Sequence, residues 1–158
     1  MIQRIQTVYL SIVIILLSIV TIGSELFSYL NETSRFTFSS YGITEYSIEN
    51  GEVIGTKTFP FFLGTAALVL LSFVCLMSYK NLKRQYKLGR TIFGLYFLML
   101  VTIIVLSTFG DKFLDIDTPA RELGVGYMLF VAGFPFVFLA NTGIKRDKKL
   151  LESLDRLR

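Results

Sequence analysis

The 158-residue sequence has no histidine, no tryptophan and one cysteine, Cys75. Without histidine, the chain lacks the commonest metal ligand and the commonest general base. A single cysteine cannot form an intramolecular disulfide, and one among apolar neighbours usually serves as a small hydrophobic side chain. We therefore predict no catalytic, cofactor-binding or metal-binding residue, and we expect a protein that is not an enzyme.

Charged residues are also scarce, at 18% of the chain against 53% apolar residues. Four windows of about 20 residues contain no charge at all: residues 5–24, 59–79, 91–110 and 123–144. At roughly 1.5 Å per helical residue, each covers about 30 Å, the thickness of a bilayer's hydrocarbon core. We expect four transmembrane helices. The first should remain uncleaved, because its apolar run exceeds a signal-peptide core and no clear A-x-A pattern precedes Glu25.

The basic residues between these windows are unevenly distributed. Counted from the N-terminus through the successive connections to the tail, Lys and Arg number 1, 2, 5, 2 and 6. Segments rich in Lys and Arg stay on the cytoplasmic side of a membrane. This pattern predicts a multi-pass membrane protein with both termini in the cytoplasm and residues 25–58 outside.

The two most basic segments are residues 80–90, which we predict to form a short loop between two spans, and the tail. Anionic headgroups attract such juxtamembrane cations, and this position favours lipid over nucleic acid. The residues that we expect to contact lipid are Lys80, Lys83, Arg84, Lys87, Arg90, Lys145, Arg146, Lys148 and Lys149.

Residues 145–158 also carry leucines at helical spacing, which predicts a basic amphipathic helix on the cytoplasmic face. The apolar stripe consists of Leu150, Leu151, Leu154 and Leu157. Exposed leucines are costly in water, so we predict that a cytoplasmic partner or a second copy covers them while lipid holds the basic half.

The first extracytoplasmic loop has a strand pattern. Residues 43–49 alternate, Asn50-Gly51 follows, and residues 52–58 resume an extended pattern. Asn-Gly suits a two-residue type I′ hairpin turn. Residues 35–39 also alternate and could add a third strand, so we expect a small sheet resting on the helix ends.

These patterns together predict an all-α membrane protein with two parts. Residues 1–144 would form a four-transmembrane-helix bundle with a small β-hairpin or sheet in the extracytoplasmic loop. Residues 145–158 would form a basic amphipathic cytoplasmic tail, and the sequence leaves open whether the last span continues unbroken into it.

The two ends of the chain resemble a family of small four-span proteins of Gram-negative bacteria. The similar segments are Met1-Ile2-Gln3-Arg4-Ile5-Gln6-Thr7, Leu139-Ala140-Asn141, Ile144-Lys145-Arg146-Asp147 and Asp155-Arg156-Leu157-Arg158. That family is catalogued as a domain of unknown function, so the resemblance implies an inner-membrane location and no activity. The architecture is also loosely similar to claudin-like tetraspans, but the loop lacks their cysteine pair.

Three functions remain open from the sequence. The favoured one is a structural or accessory subunit that packs against another membrane protein. A small passive channel or transporter acting as an oligomer is the alternative, although ion-coupled transport usually needs a charge inside a span. A lipid-modifying enzyme is third, because no nucleophile or metal cluster is visible.

Overall fold

The computed structural model describes residues 5–114 and 120–156. Within them the chain forms four α-helices, one short 3₁₀ turn at Ser78–Lys80 and five β-strands. The helices are α1 (Ile5–Thr21), α2 (Phe61–Met77), α3 (Leu82–Leu114) and α4 (Val125–Arg156). The strands are β1 (Glu25–Leu30), β2 (Ser34–Ser39), β3 (Gly42–Ser47), β4 (Val53–Thr58) and β5 (Ala120–Leu123).

The prediction of four transmembrane helices is wrong. Among the described residues, three helices are long and apolar enough to cross a membrane: Phe61–Lys80, Leu82–Lys112 and Val125–Leu150. The first apolar window forms a shorter helix, Ile5–Thr21, of 17 residues. It ends early because Gly23 adopts a φ of 117° and the chain turns directly into β1. Seventeen residues cover roughly 26 Å, less than the hydrocarbon core.

Helix α1 nevertheless packs inside the bundle, against α4 and α2. Its inward stripe, Leu10, Val13, Leu17 and Val20, is buried. At its start the Gln6 amide donates a hydrogen bond to Asp147 of α4, with Nε2 and Oδ2 3.1 Å apart. Just after its end, Ser24 approaches Gly126 at the start of α4. The two helices therefore lie side by side and antiparallel.

The basic segment after α2 is mostly helical and is not the loop that the sequence suggests. Helix α3 begins at Leu82 and carries four of the five basic side chains in its first turns. Asn81 caps this start, since the Arg84 backbone N–H donates to Asn81 Oδ1 at 3.1 Å. Lys and Arg are good helix formers, so no residue there interrupts the helix.

The sequence left open whether the last apolar window continues unbroken into the tail, and in the structure it does. Helix α4 continues from Val125 to Arg156 through Thr142 and Gly143. The Thr142 hydroxyl donates to the Phe138 carbonyl at 2.9 Å, which satisfies it within the helix. Gly143 lets Gln6 approach closely, because a Cβ there would lie 3.4 Å from Gln6 Cβ. Packing against α1 thus compensates for the low helix propensity of glycine.

The sheet is larger than the predicted hairpin. Its strand order is β4-β3-β2-β1-β5, and every adjacent pair of strands is antiparallel. The hairpin of β3 and β4 lies where the sequence places it, but its turn is wider than two residues. Ser47 N–H bonds to Glu52 O, and Gly51 supplies the positive φ of 67°. The sequence pattern missed β1 and β5, because β1 continues the apolar first window and β5 pairs only through a long-range contact.

The helix bundle has two ends, which we call the sheet end and the basic end. The sheet end contains the sheet, the last turns of α1 and α3 and the first turns of α2 and α4. The basic end contains Gln6, residues 78–90 and residues 141–149. Between them lies a core of aliphatic and aromatic side chains, including Leu68, Ile92, Tyr96 and Phe130.

Candidate interaction surfaces

The inner face of the sheet is fastened to α3 by two side chains. Tyr29 of β1 and Arg121 of β5 are cross-strand partners, so they point to the same face. The Tyr29 hydroxyl donates to the Leu106 carbonyl at 2.9 Å, and Arg121 Nη1 donates to the Ser107 carbonyl at 3.0 Å. Tyr29 also packs edge-on against Phe27 and Phe38. This face is therefore used for folding.

The Tyr29 hydroxyl lies in a place that disfavours ionisation. Burial raises the pKa of this phenol above its ordinary value of 10.0, and the nearby Asp111 carboxylate raises it further. A Cβ at Gly110 would lie 3.0 Å from the same hydroxyl oxygen. Tyr29 therefore remains a neutral hydrogen-bond donor over the physiological pH range.

The outer face of the sheet carries one charged cluster. Arg35 Nη2 of β2 lies 3.7 Å from Glu25 Oε2 of β1 and 3.5 Å from Glu122 Oε2 of β5. It also lies 3.4 Å from Ser28 Oγ. The three strands are thus linked, but these side chains are partly exposed and contribute little to stability.

The hairpin of β3 and β4 exposes apolar side chains outside the helices. Val53 and Ile54 are 55% and 61% exposed, and Ile48 in the turn between the strands is also exposed. Three of the helices are long and apolar enough to cross a membrane, where lipid would cover their exposed apolar residues, whereas these hairpin side chains lie on a sheet at one end of the bundle. Grouped apolar side chains on a soluble surface mark interaction sites. The sequence treated this segment as a structural hairpin and did not identify it as a candidate surface.

The basic end brings the two predicted lipid-contacting groups together. Lys80 lies in the 3₁₀ turn, and Lys83, Arg84, Lys87 and Arg90 lie on the first turns of α3, all exposed. Lys145, Arg146 and Lys149 are exposed on α4, and Lys148 is half-buried. The two helices pack together here, since a Cβ at Gly89 would lie 3.3 Å from Ile144 Cδ1. One end of the bundle therefore presents both groups.

The first residues of the predicted tail belong to the bundle. Asp147 accepts the hydrogen bond from Gln6, and Lys148 Nζ lies 4.8 Å from the centre of the Tyr86 ring. Of the predicted partner-binding leucines, Leu150 is 57% exposed. For Leu151 and Leu154 the structure describes the helical backbone but not the side chains, and Leu157 lies outside the described residues.

The basic end also contains buried polar atoms that sequence reasoning missed. Gln6 and Gln85 are fully buried, and the Oε1 atom of each accepts no hydrogen bond from a described residue. The same holds for Ser72 Oγ on α2. Gln85 stands among basic residues in the sequence, and that context hid its burial.

Within the described residues, no group of three His, Cys, Asp or Glu side chains could hold a metal ion. The fold defines a helical protein compatible with a membrane, with an antiparallel sheet at one end of its bundle. The chain belongs to the family described as Domain of unknown function (DUF4293), whose family model matches residues 2–157. The resemblance to an uncharacterised family is thereby confirmed. No curated protein matches the chain.

Proposed function

We propose that the protein is an accessory subunit of the bacterial cytoplasmic membrane that binds another membrane protein through its β3–β4 hairpin. The observation that carries this proposal is the exposed apolar surface of Val53 and Ile54 beyond the helices. A strand edge with exposed β-branched residues suits pairing or packing with a partner.

The orientation in the membrane is part of the proposal. The basic end faces the cytoplasm, since its Lys and Arg side chains follow the positive-inside rule. The sheet then lies outside. The described chain ends, Ile5 and Arg156, both belong to helices that reach the basic end.

The packed interior gives no support to a channel within one chain. Among the described residues, Tyr96 and Phe130 fill the centre with their ring centroids 4.7 Å apart. The Tyr96 hydroxyl donates to the Phe130 carbonyl at 2.8 Å, which closes the space between α3 and α4. In the part of the chain that the structure describes, no cluster of three His, Cys, Asp or Glu side chains supports a metal-dependent enzyme either.

A photo-crosslinking amino acid at Ile54 tests the proposal in living cells. We expect a discrete adduct heavier than a dimer of this chain, and we expect Val53→Asp to abolish it. The matched control places the same amino acid at Leu98, which is equally exposed but lies on α3. Equal or absent adducts at the two positions would refute binding through the hairpin.

The tail stays a second proposed contact, because Leu150 is exposed beyond the part of α4 that packs on α1. Replacing Leu150 and Leu154 with Asp should remove any partner that binds there while membrane insertion continues. An unchanged set of co-purifying proteins and an unchanged oligomer would leave the tail as a lipid-bound anchor.

A further inference from the structure

A cavity of about 360 Å³ lies at the basic end, between α2 and the start of α3. Its apolar wall consists of Phe73, Val74 and Met77, and its polar wall includes Lys80, Asn81 and Arg84. We propose that this cavity binds the headgroup and upper acyl chain of one anionic phospholipid. The following observations carry the proposal.

The apolar wall lies on a helix that is long and apolar enough to cross a membrane. Phe73 and Met77 are 53% and 59% exposed, and they stand four residues apart, so they share one face of α2. Within a bilayer this exposed face meets acyl chains. The apolar half of the cavity is therefore continuous with the hydrocarbon region.

The polar wall lies where that candidate span ends, at Lys80. Lys80 and Arg84 supply two positive charges, and no acidic residue lines the cavity. Arginine and lysine are the side chains that bind phosphate most often in proteins. A phosphate held here would sit at headgroup depth.

The start of α3 adds to the attraction. Asn81 Oδ1 already accepts the Arg84 N–H, which fixes this end of the helix beside the cavity. The dipole of α3 favours negative charge near this end of the helix. The positive charges, the helix dipole and the adjoining apolar wall together match a phospholipid better than a free phosphate ion. A phosphate ion has no apolar group that could contact Phe73 and Met77.

The same basic segment offers an internal control. Lys83 and Lys87 are exposed on the first turns of α3, but they do not line the cavity. A bilayer that acts only through diffuse surface charge would respond equally to the loss of either pair. A defined lipid site responds to the loss of Lys80 and Arg84 alone.

The test uses the full chain, purified in a neutral detergent and titrated with phosphatidylglycerol or phosphatidylcholine in native mass spectrometry. We expect the wild type to bind the first phosphatidylglycerol molecule at least about tenfold more tightly than phosphatidylcholine. Lys80→Gln combined with Arg84→Gln should remove that preference. Lys83→Gln combined with Lys87→Gln should leave it within about twofold of the wild type.

Two results of the lipid titrations would overturn the proposal: equal weakening by both double variants, or equal wild-type affinity for the two lipids. The second result needs no variant, so it applies even if Lys80→Gln with Arg84→Gln fails to fold. Glycerol phosphate, the headgroup without acyl chains, provides the last arm. Its failure to displace the lipid supports a phospholipid site, and displacement at equal concentration refutes it.

Discussion

At the sheet end, polar side chains from different elements bind one another or backbone carbonyls, whereas at the basic end most charged side chains point into solvent. Tyr29, Arg121 and Arg35 each connect two or more elements. Lys83, Lys87 and Arg90 are all exposed. The difference indicates that polar contacts between elements hold the sheet end together, whereas the exposed cations of the basic end take little part in such contacts.

The largest effect should come from a glycine at the sheet end. A Cβ at Gly124 would overlap the backbone of Glu25, with the carbonyl carbon only 2.7 Å away. Backbone cannot move aside as a flexible side chain can, so Gly124→Ala should lower the free energy of unfolding by about 1–3 kcal/mol or more. Denaturant or thermal unfolding in detergent would measure this loss.

Gly94 on α3 is the control for that substitution, because a Cβ there meets no described atom within 4 Å. Gly94→Ala should leave the stability unchanged or raise it by up to about 1 kcal/mol. Equal losses at Gly124 and Gly94 would contradict the close contact between α4 and β1.

A smaller effect is expected from Tyr29→Phe, which keeps the ring packing and removes the hydrogen bond to Leu106. One neutral hydrogen bond contributes about 0.5–1.5 kcal/mol. The pH dependence is more specific. The pKa of Tyr29 is raised in the folded state. The contribution of its phenol to the free energy of unfolding is therefore complete below the ordinary pKa of about 10, and it is lost as the pH rises through the folded-state pKa.

Unfolding midpoints of the wild type and Tyr29→Phe between pH 8 and pH 11, a range that brackets roughly the ordinary tyrosine pKa, would test this dependence. The difference between the two proteins should shrink as the pH rises. A constant difference across the range would show that the phenol titrates normally and is not buried against α3.

The smallest effect is expected at the basic end. Lys83→Gln combined with Lys87→Gln should change the free energy of unfolding by no more than about 0.5 kcal/mol, because both side chains are exposed. The loss of more than 1 kcal/mol would mean that these cations stabilise the fold, and it would remove the contrast between the two ends.

The sequence predicted the elements that depend on local patterns. Uncharged windows located the apolar helices, and alternation around Asn50-Gly51 located the β3–β4 hairpin. The sequence overestimated the length of the first helix, because the local pattern does not indicate that the chain turns into a strand at Gly23. It also read residues 80–90 as a loop, since a run of cations at a membrane surface suits a loop or a helix equally.

The features that depend on distant partners were not predictable. β5 exists because Ala120–Leu123 pairs with β1, about 90 residues earlier. In the sequence, Arg121 is one of several charged residues before the last apolar window. Its hydrogen bond to the Ser107 carbonyl is visible only in the folded chain. The cavity at the basic end likewise needs α2 and α3 to be placed together before Phe73 and Arg84 share a surface. The tail leucines remain a prediction from spacing alone.

The central claim is that the sheet end and the basic end lie on opposite sides of a membrane. Single cysteines at Thr56 and Lys83, both exposed, test it in a chain whose Cys75 is replaced by Ala. A membrane-impermeant maleimide added to intact spheroplasts should label Thr56→Cys, and it should label Lys83→Cys only after lysis. Equal labelling of both positions before lysis, or labelling of Lys83→Cys alone, would contradict the account.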